Sequence, residues 1–560
     1  MRVVQRRPAS RWSTLTATVL TVLAAVLVWT ALTFPNRLEA MEPGAFVRLP
    51  VEAIVFLAIV LALPPRLSRT RTVLAVLAGV VLGLTAVSTV LDIGFLAALN
   101  RPFDPLSDWR YTGSFVETVR GSADGALGIV LLVGAGLIIV ALLVLLPLAV
   151  LRVTRVVTGH RGRAIRVVAA LASLWLVFSL LDVRTETGPV ASRKASAYVY
   201  GQVHRVPSEL RYQREFARAF ESDPMRRVPA SDLLTGLRGK DVLIVFVESF
   251  GRVAVEGSSF APGVNKVLDS GTRQLERSGF ASRSAFLTSP TYGAVSWLAH
   301  ATLQSGLWVD SQQRYDELVT SSRLTLSALF GRAGWRTVAD IPANTRAWPE
   351  GAFYDFDHVY DSRNVGYQGP RFGYPTMPDQ YTLDAFHRLE LAPTNRGPVM
   401  AEIDLITSHA PWSRTPRMIP QSAVGDGSAY DGMPAQLPSE TDIWPSPERV
   451  RAAYGDAIEY SLKALMSFLT TYGDKDLVVV MVGDHQPATI VSGEGAGHDV
   501  PIAMVARDPA VLDRISGWGW GRGLRPASDA PVWRMDTFRD RFLAAYGSGG
   551  DTGDLPTSTR

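Results

Sequence analysis

Long apolar stretches dominate the first third of the chain, and each has about the 17 to 25 residues that a helix needs to cross a bilayer. They lie at residues 13–34, 46–63, 73–90 (extending towards 99), 126–151 and 164–181. The first stretch lacks the small-residue cleavage site of a removable signal peptide, so we interpret it as a retained anchor. Residues 1–183 are therefore predicted to form a transmembrane region of five helices.

Arginine is concentrated in three of the segments that flank these stretches. It precedes the first stretch and fills the loops after the second and the fourth, as Arg2, Arg6, Arg7, Arg11, Arg66, Arg69, Arg71, Arg152, Arg155, Arg161 and Arg163. Positively charged loops favour the cytoplasm, whereas the loop at 100–125 contains Asp104, Asp108, Glu117 and Asp124 and is expected outside. We therefore expect a multi-pass cell-membrane protein with a cytoplasmic N-terminus, in which five crossings place everything after Val183 outside the cytoplasm.

From Asp241 onward, short β-branched runs alternate with helix-like stretches. The strand-like runs are VLIVFV, WRTVADI, VMAEIDLIT, LVVVMV and VPIAMVA, and the helical stretches include residues 264–278, YTLDAFHRLEL and 448–472. This alternation predicts a mostly parallel, doubly wound α/β domain over residues 241–545. Residues 184–240 are predicted to form a polar linker with an amphipathic helix in SELRYQREFARAFES. The last segment, 546–560, has a disordered composition.

The amino-acid composition limits which metal sites, nucleophiles and partners the chain can have. The 560 residues include no cysteine, which excludes disulfides, thiolate metal sites and cysteine nucleophiles. The net charge of +4 comes without a dense basic block, so nucleic acid is not an expected partner. No pattern indicates an oligomeric state. Any metal must be bound by carboxylate, imidazole or hydroxyl groups.

Two acidic motifs follow predicted strands. VLIVFVESFGR ends its strand at Glu248, and LVVVMVGDHQP ends its strand at Asp484 and His485. Ligands of open α/β sheets bind beyond the carboxyl ends of the strands, so these side chains are expected to meet at one edge. Two carboxylates and an imidazole suit Mn²⁺, Zn²⁺ or Mg²⁺. The alternative is that each acidic residue only caps a helix or forms a turn.

This combination of features resembles the lipoteichoic acid synthase and phosphoglycerol transferase group of the alkaline phosphatase and sulfatase superfamily. The resemblance rests on the five apolar stretches, the exported α/β domain, VESF, a hydroxyl-bearing helix start, SHAPW and GDHQP, and is strongest from Asp241 to Asp508. It implies an alkaline-phosphatase-like extracytoplasmic domain with a single divalent metal, typically Mn²⁺. The implied protein ligands are Glu248, Asp484 and His485, together with the hydroxyl of the nucleophile.

The resemblance also locates the nucleophile within SPTYGAVSWLAH. The family has a hydroxyl residue at the start of a helix and a leucine seven positions later, and counting from Ser296 gives Leu303. A rival alignment puts Gly293 at that position and leaves Thr291 as the fallback nucleophile. At a helix N-terminus the Ser296 oxygen would face free N–H groups and the positive end of the helix dipole. The alternative reading of Ser296 is an ordinary N-cap.

Four further residues are implied as substrate contacts by the same resemblance: His409, His498, Arg346 and Trp348. Each histidine has a purely structural alternative. Glu350 stands where the family has an arginine after the pocket tryptophan, which is a departure from the pattern. His300, one turn into the predicted helix, is interpreted as a packed or solvated residue.

Together these features imply an enzyme. The expected activity is metal-dependent transfer of phosphoglycerol or a similar headgroup from a membrane phospholipid to a cell-envelope glycan or lipid acceptor, through a covalent phospho-enzyme. The alternatives are a sulfatase-like phosphodiesterase, a phosphoethanolamine transferase, or a catalytically inactive membrane binding or scaffold protein of the same fold. A true sulfatase is disfavoured because SWLAH lacks the proline and arginine of the C/S-x-P-S-R motif.

Overall fold

The structure is a computed structural model that describes residues 11–37, 40–105, 107–111, 113, 125–186, 188–221 and 223–548. Arg2, Arg6, Arg7, Glu117, Asp124 and most of the predicted tail lie outside the described residues. The chain forms two compact units that divide near residue 212.

The first unit is helical. Its long helices are α1 (Arg11–Thr33), α2 (Val51–Ala62), α3 (Ser68–Leu99), α4 (Gly125–Gly159), α5 (Arg161–Leu180) and the start of α6 (Lys194–Glu221). A short helix at Pro43–Phe46 and two-residue strands at Leu49–Pro50 and Ala191–Ser192 complete the connections. The α3 and α4 helices approach closely because residue 79 is glycine, where a Cβ would lie 2.4 Å from the Pro147 Cα.

The number of membrane-spanning helices differs from the prediction. Among the described residues, four helices are long and apolar enough to cross a bilayer, at Leu15–Thr33, Pro65–Leu99, Leu132–Gly159 and Arg161–Leu180. The second predicted stretch contains only the 12-residue helix α2, about 18 Å long against a hydrocarbon core of about 30 Å. Proline explains its length, because Pro50 holds extended backbone before α2, and Pro64 and Pro65 follow its end.

Arginines from three segments meet at one end of this helical unit. Arg161 donates to the carbonyl of Leu63, just after α2, over 3.1 Å, and Arg71 of α3 donates to the same oxygen. Arg152, near the end of α4, donates to the carbonyl of Ala17 in α1. The starts of α1, α3 and α5 and the ends of α2 and α4 therefore lie at a single arginine-rich end.

The opposite end contains the exit from α5. There the Trp29 indole donates to the Phe46 carbonyl over 2.8 Å, and Lys194 donates to the Phe34 carbonyl over 3.0 Å. Leu49–Pro50 pairs in parallel with Ala191–Ser192. The chain thus leaves the helical unit at the end that lacks the arginine cluster.

The second unit is built on a nine-stranded sheet. Its strands are β1 (Asp241–Val247), β2 (Ala281–Thr288), β3 (Arg336–Ile341), β4 (His358–Asp361), β5 (Val399–Leu405), β6 (Leu477–Gly483), β7 (Asp499–Ala506), β8 (Gly521–Arg522) and β9 (Val532–Arg534). The order is β8-β2-β7-β6-β1-β5-β3-β4, with β9 also paired to β2. Strands β6, β1, β5, β3 and β4 are mutually parallel, whereas β7 is antiparallel to both of its neighbours. The predicted mostly parallel sheet is therefore a mixed sheet with a parallel centre.

Helices cover both faces of this sheet. Its longer helices are α7 (Ala261–Arg277), α8 (Trp297–Ser305), α9 (Gln312–Val319), α10 (Leu326–Arg332), α11 (Asp379–Phe386), α12 (Pro447–Tyr472) and α13 (Phe538–Tyr546), and shorter ones lie at Glu440–Ile443, Thr489–Ser492 and Pro509–Asp513. Alternate residues of β1 enter opposite cores, because Leu243 and Val245 pack with α7 and α12, whereas Ile244 and Phe246 pack with α8, α10 and α13. Burial of both faces explains why β1 and β6 are apolar throughout.

Part of the predicted linker packs into this second unit. Leu233, Leu234 and Leu237 are buried with the helices of one sheet face. Asp223 forms a fully buried ion pair with Arg539 of α13, with 2.8 Å between Oδ2 and Nη2. The residues just before β1 therefore contribute to the core that supports the sheet.

Candidate metal and nucleophile site

Two parallel strands bring three predicted ligands to one edge of the sheet. Glu248 follows β1, and Asp484 and His485 follow β6, which is the direct neighbour of β1. One ligand atom from each of the three lies within 4.8 Å of the others, and all three side chains are buried. The adjacency of β1 and β6 in the sheet accounts for the meeting of residues 236 positions apart in sequence.

The two oxygens of the Asp484 carboxylate have different surroundings. Oδ1 accepts hydrogen bonds of 2.7 Å from the backbone N–H groups of Ser249 and His485. Oδ2 is buried and has no hydrogen-bond partner. A buried carboxylate oxygen without a partner is costly unless a cation or donor occupies the site, so the residues present fit a divalent metal ion.

His485 presents its Nε2 atom to the same point. Its Nδ1 lies 2.8 Å from the Gln486 carbonyl, which fixes the ring with Nδ1–H as the donor. Nε2 lies 3.3 Å from Glu248 Oε1 and 3.6 Å from Asp484 Oδ2. A backbone carbonyl that orients the far nitrogen is the usual support of a metal-binding imidazole.

The Ser296 hydroxyl completes the group. Its Oγ lies 2.9 Å from Glu248 Oε2 and 3.1 Å from His485 Nε2. Ser296 is the residue before α8, yet its side chain makes no capping bond to the helix. The hydroxyl thus faces the carboxylate and imidazole instead of serving as an N-cap. Thr291, the fallback nucleophile, donates to the Ala294 carbonyl over 2.8 Å and forms part of a turn.

Two residues beside the site have left-handed backbone. Ser249 has φ of 56° directly after Glu248, and Val295 has φ of 61° directly before Ser296. This region is uncommon for residues other than glycine, and for a β-branched residue it is a genuine outlier that costs roughly 1 to 3 kcal/mol. Gly293, the rival position for the nucleophile, has φ of 71° and donates its N–H to the Gln486 carbonyl over 2.8 Å.

Burial and mutual charge set the protonation of the group. Burial alone would raise the pKa of Glu248, but the hydrogen bond from His485 and the charge of His409 hold it below its usual range. Burial and the charge of Glu248 raise the pKa of Asp484 to about 7. Burial lowers the pKa of His485, but Asp484 and Glu248 outweigh it and raise that pKa to about 9. A cation that binds here must therefore displace protons.

His409 lies beside this group. Ser408, its neighbour, donates from Oγ to the Glu248 carbonyl over 2.6 Å, which fixes the loop after β5 next to β1. The His409 ring stacks on Tyr374, with 3.8 Å between centroids and 12° between planes, and its Nδ1 contacts the Ala410 carbonyl. Tyr374 has no motif that marks it in the sequence, and only the fold brings it to His409.

The remaining predicted substrate contacts are less directly connected. His498 packs against Tyr292 at 5.4 Å, and its backbone carbonyl accepts from the Ser289 N–H. Burial and the charge of His485 lower the pKa of His498. Trp348 packs against Tyr354 at 5.2 Å, and Arg346 is exposed. Within the described part of the chain, no hydrogen bond or ring contact joins Trp348 to the four central residues.

A second ionisable group lies under the start of α8. His300 Nδ1 is 3.1 Å from Glu402 Oε1 and 3.6 Å from Asp404 Oδ1. The sequence left His300 as a packed or solvated residue; in the structure its side chain is mostly buried, and two carboxylates of β5 contact it. The sequence carried a weak signal for this group, since the acidic residues alternate in AEIDL and so share one face of their strand.

The chain is similar to one protein family and to several solved structures. The sulfatase family matches residues 240–504, a range that contains all four central residues. No curated protein matches the chain. The lipoteichoic acid synthase LtaP of Listeria monocytogenes is 17% identical, with coverage of 57% of this chain and 74% of its own and a TM-score of 0.36. The Streptococcus pyogenes phosphoglycerol transferase GacH, solved with sn-glycerol-1-phosphate, is 14% identical, with coverage of 61% and 91% and a TM-score of 0.34. The zinc complex of the periplasmic domain of EptC from Escherichia coli is 12% identical, with coverage of 57% and 86% and a TM-score of 0.38.

Proposed function

We propose a specific activity for this chain, supported by the match of residues 240–504 to the sulfatase family. It is a membrane-anchored phosphotransferase that moves a phosphorylated headgroup from a phospholipid to a cell-envelope acceptor. The observation that carries the proposal is the Ser296 hydroxyl, 2.9 Å from Glu248 and 3.1 Å from His485, beside the unpartnered Asp484 oxygen.

The site is proposed to use one divalent metal. Glu248, Asp484, His485 and the Ser296 hydroxyl would bind it, and the chemistry that it supplies is Lewis-acid polarisation together with a lowered pKa of the serine hydroxyl. Mn²⁺ is the proposed ion, because three oxygen ligands and one imidazole suit a borderline-hard cation.

Ser296 is the proposed nucleophile. Its Oγ attacks phosphorus, so that a Ser296 O–P bond forms while the bond from phosphorus to the lipid alcohol breaks. The hydroxyl proton leaves to solvent, because Glu248, which accepts its hydrogen bond, has a lowered pKa and is a proposed metal ligand. His409 is proposed to give a proton to the leaving alcohol oxygen. In the second half the acceptor hydroxyl attacks phosphorus and gives its proton to His409, the Ser296 O–P bond breaks, and Ser296 regains its proton from solvent.

The surroundings of Ser296 favour phosphoryl transfer over sulfate ester hydrolysis. SWLAH lacks the proline and arginine of the motif in which sulfatases form their formylglycine nucleophile, so the serine is proposed to act as it stands. The Ser296 side chain makes no capping bond to α8, and its hydroxyl is directed at Glu248 and His485. The proposed donor headgroup is phosphoglycerol, with His498, Arg346 and Trp348 as further substrate contacts.

The domain is proposed to lie outside the cytoplasm. Support comes from the helical unit, in which Arg71, Arg152 and Arg161 meet at one end and the chain leaves at the other. Positively charged ends favour the cytoplasm, so the exit end would face outward. The segment that contains α2 would carry the chain from the exit end back to the arginine-rich end, although α2 alone is too short to cross a bilayer. With α1, α3, α4 and α5 this segment makes five passages, which leaves the second unit on the outer side.

Mass spectrometry of the 560-residue chain in detergent tests the activity. The chain is incubated with Mn²⁺ and phosphatidylglycerol, beside Ser296→Ala and the matched hydroxyl variant Thr291→Ala. We expect a phosphoglycerol adduct on Ser296 that persists in Thr291→Ala and is absent from Ser296→Ala. A phosphoethanolamine adduct from a phosphatidylethanolamine donor would change the donor class. An adduct that persists in Ser296→Ala would remove Ser296 from the mechanism, and no adduct with any donor would favour a binding protein.

A further inference from the structure

The residues under the proposed nucleophile form a polar layer that the reaction does not use directly. Ser296, the residue before α8, and His300 and Gln304 within α8 are spaced four residues apart and therefore lie on one face of the helix. On β5, Glu402 and Asp404 share one face of the strand and pair with Ile244 and Phe246 of β1. The helix that begins at the nucleophile is thus joined to the sheet by polar side chains.

His300 is fixed within this layer from three directions. Its Nδ1 contacts Glu402 at 3.1 Å and Asp404 at 3.6 Å, and its ring stacks on Phe246 with 3.8 Å between centroids and 10° between planes. Gln304 donates to the other oxygen of Glu402 and accepts from the Ser327 N–H over 3.0 Å. Glu402 is almost fully buried, so its two oxygens are satisfied by His300 and Gln304 and not by water.

This layer adds charge to a region that is already rich in carboxylates. Glu248 and Asp484 stand above it, and Glu402 and Asp404 lie within it, which gives four carboxyl groups in adjoining layers of one sheet edge. Burial raises the pKa of Asp404 to about 8 with the help of the charges of Glu402, Glu248 and Asp484 and against the opposing charge of His300, so Asp404 is mostly protonated at neutral pH. The charge of Asp484 also raises the pKa of His300. Burial lowers the pKa of His300, but Asp404 and Glu402 outweigh it and raise that pKa to about 10. The ring therefore carries a positive charge at neutral pH.

We propose that His300 is a positioning residue whose ring balances the buried Glu402 carboxylate beneath the site, so that an anionic phosphate ester can bind beside Ser296. The inference rests on the proposed function, because it concerns the balance between the metal and the phosphate of that same site. A positive charge at His300 repels a cation above it and attracts an anion there. Its removal therefore shifts the two affinities in opposite directions, which damage to the fold would not do.

Four forms of the 560-residue chain in detergent test this inference: the wild type, His300→Gln, Glu402→Gln and the double variant. Glutamine at 300 keeps a donor for Glu402 and removes the charge. His387→Gln is the matched control, because His387 also stacks on an aromatic ring, Tyr472 at 3.7 Å, outside the layer. Calorimetry measures the affinity for Mn²⁺ and then the affinity of the Mn²⁺-loaded chain for inorganic phosphate.

The expected result is a pair of opposite shifts. A unit charge roughly 10 Å away at an effective dielectric constant of about 20 changes an affinity roughly tenfold. His300→Gln should bind Mn²⁺ about tenfold more tightly and phosphate about tenfold more weakly. Glu402→Gln should show the reverse of both shifts, and it keeps the test valid if His300→Gln does not fold. The double variant should lie near the wild type, because it replaces the ion pair with two neutral amides.

Four results would overturn the inference. Loss of both affinities in His300→Gln, with additive losses in the double variant, would assign His300 to packing alone. A wild type that binds two equivalents of Mn²⁺, and a His300→Gln variant that binds one, would make His300 a metal ligand. A wild type that binds no Mn²⁺ would remove the inference together with the proposed function, whereas normal Mn²⁺ and phosphate binding without opposite shifts would remove the inference alone.

Discussion

Asp379 allows a direct test of how burial of a carboxylate affects the stability of this domain. The side chain is fully buried at the start of α11, where its carboxylate accepts from the Thr407 N–H over 2.9 Å and from the Ser461 hydroxyl. Thr407 precedes the loop of Ser408 and His409, so Asp379 connects that loop to α11 and α12. Asp379→Asn removes the negative charge of this side chain and keeps its shape.

The magnitude follows from the pKa of this carboxyl. Burial raises the pKa of Asp379 from 3.8 to about 6, although the bonds from Ser461 and Thr407 oppose the rise. The folded chain therefore holds this proton more tightly than the unfolded chain. The ionised carboxylate destabilises the fold above about pH 6, and the penalty disappears as the pH falls towards 4. The difference between the two pKa values corresponds to about 3 kcal/mol of unfolding free energy at pH 8.

Asparagine can replace the carboxylate without loss of its contacts. Its oxygen accepts from the Thr407 N–H, and its amide donates to the Ser461 oxygen, whose own proton turns to the Ala457 carbonyl at 3.2 Å. We expect Asp379→Asn to raise the Tm by about 5 °C at pH 8 and by only about 2 °C at pH 4.5, where roughly a third of the penalty remains.

Thermal unfolding followed by tryptophan fluorescence at the two pH values measures this difference. Asp513→Asn, at an exposed carboxylate, is the matched control and should not change the Tm at either pH. A Tm that falls at both pH values, or rises equally at both, would show that an ionised Asp379 does not destabilise the fold, because neither result has the pH dependence of a buried ionised group.

Two further predictions concern the metal and the membrane. The affinity for Mn²⁺ should rise roughly tenfold per pH unit between pH 7 and 9, because His485 must lose a proton, and more steeply below pH 7, where Asp484 must also lose one. Calorimetry across this range checks it, and an affinity independent of pH would contradict it. Because the chain has no cysteine, Ser516→Cys, exposed on the second unit, should react with a membrane-impermeant maleimide in intact cells. His160→Cys, exposed at the arginine-rich end, should react only after permeabilisation, and the reverse pattern would contradict the proposed orientation.

The centre of the site was predictable because local pattern and sheet geometry agree there. The buried runs that end at Glu248 and Asp484 are apolar throughout, and parallel neighbours place their ends together. The sequence did not identify β2, since Ser282 and Ser284 interrupt the apolar pattern of a strand that is nevertheless buried. These two serines are buried by contacts with distant segments, so the local sequence pattern does not show that the strand is buried.

The second apolar stretch was misjudged for a related reason. Hydropathy measures its length, whereas Pro50 and the prolines after Leu63 limit the helix within it to 12 residues. Tyr374 and Glu402 were also missed as neighbours of the site, because their positions beside His409 and His300 depend on contacts between distant segments. Residues adjacent to a strand end were therefore easier to predict than residues that reach the site from the side.

The left-handed backbone at Val295 lowers the stability of the domain while it holds the neighbouring Ser296 in place. A valine there is strained whether or not a substrate is present, and glycine would relieve the strain at the position that directs the neighbouring serine. Directed evolution for heat resistance alone would therefore reach this position early. Under the proposed mechanism, the more heat-stable proteins selected there would hold the Ser296 hydroxyl less firmly and would form the covalent intermediate more slowly.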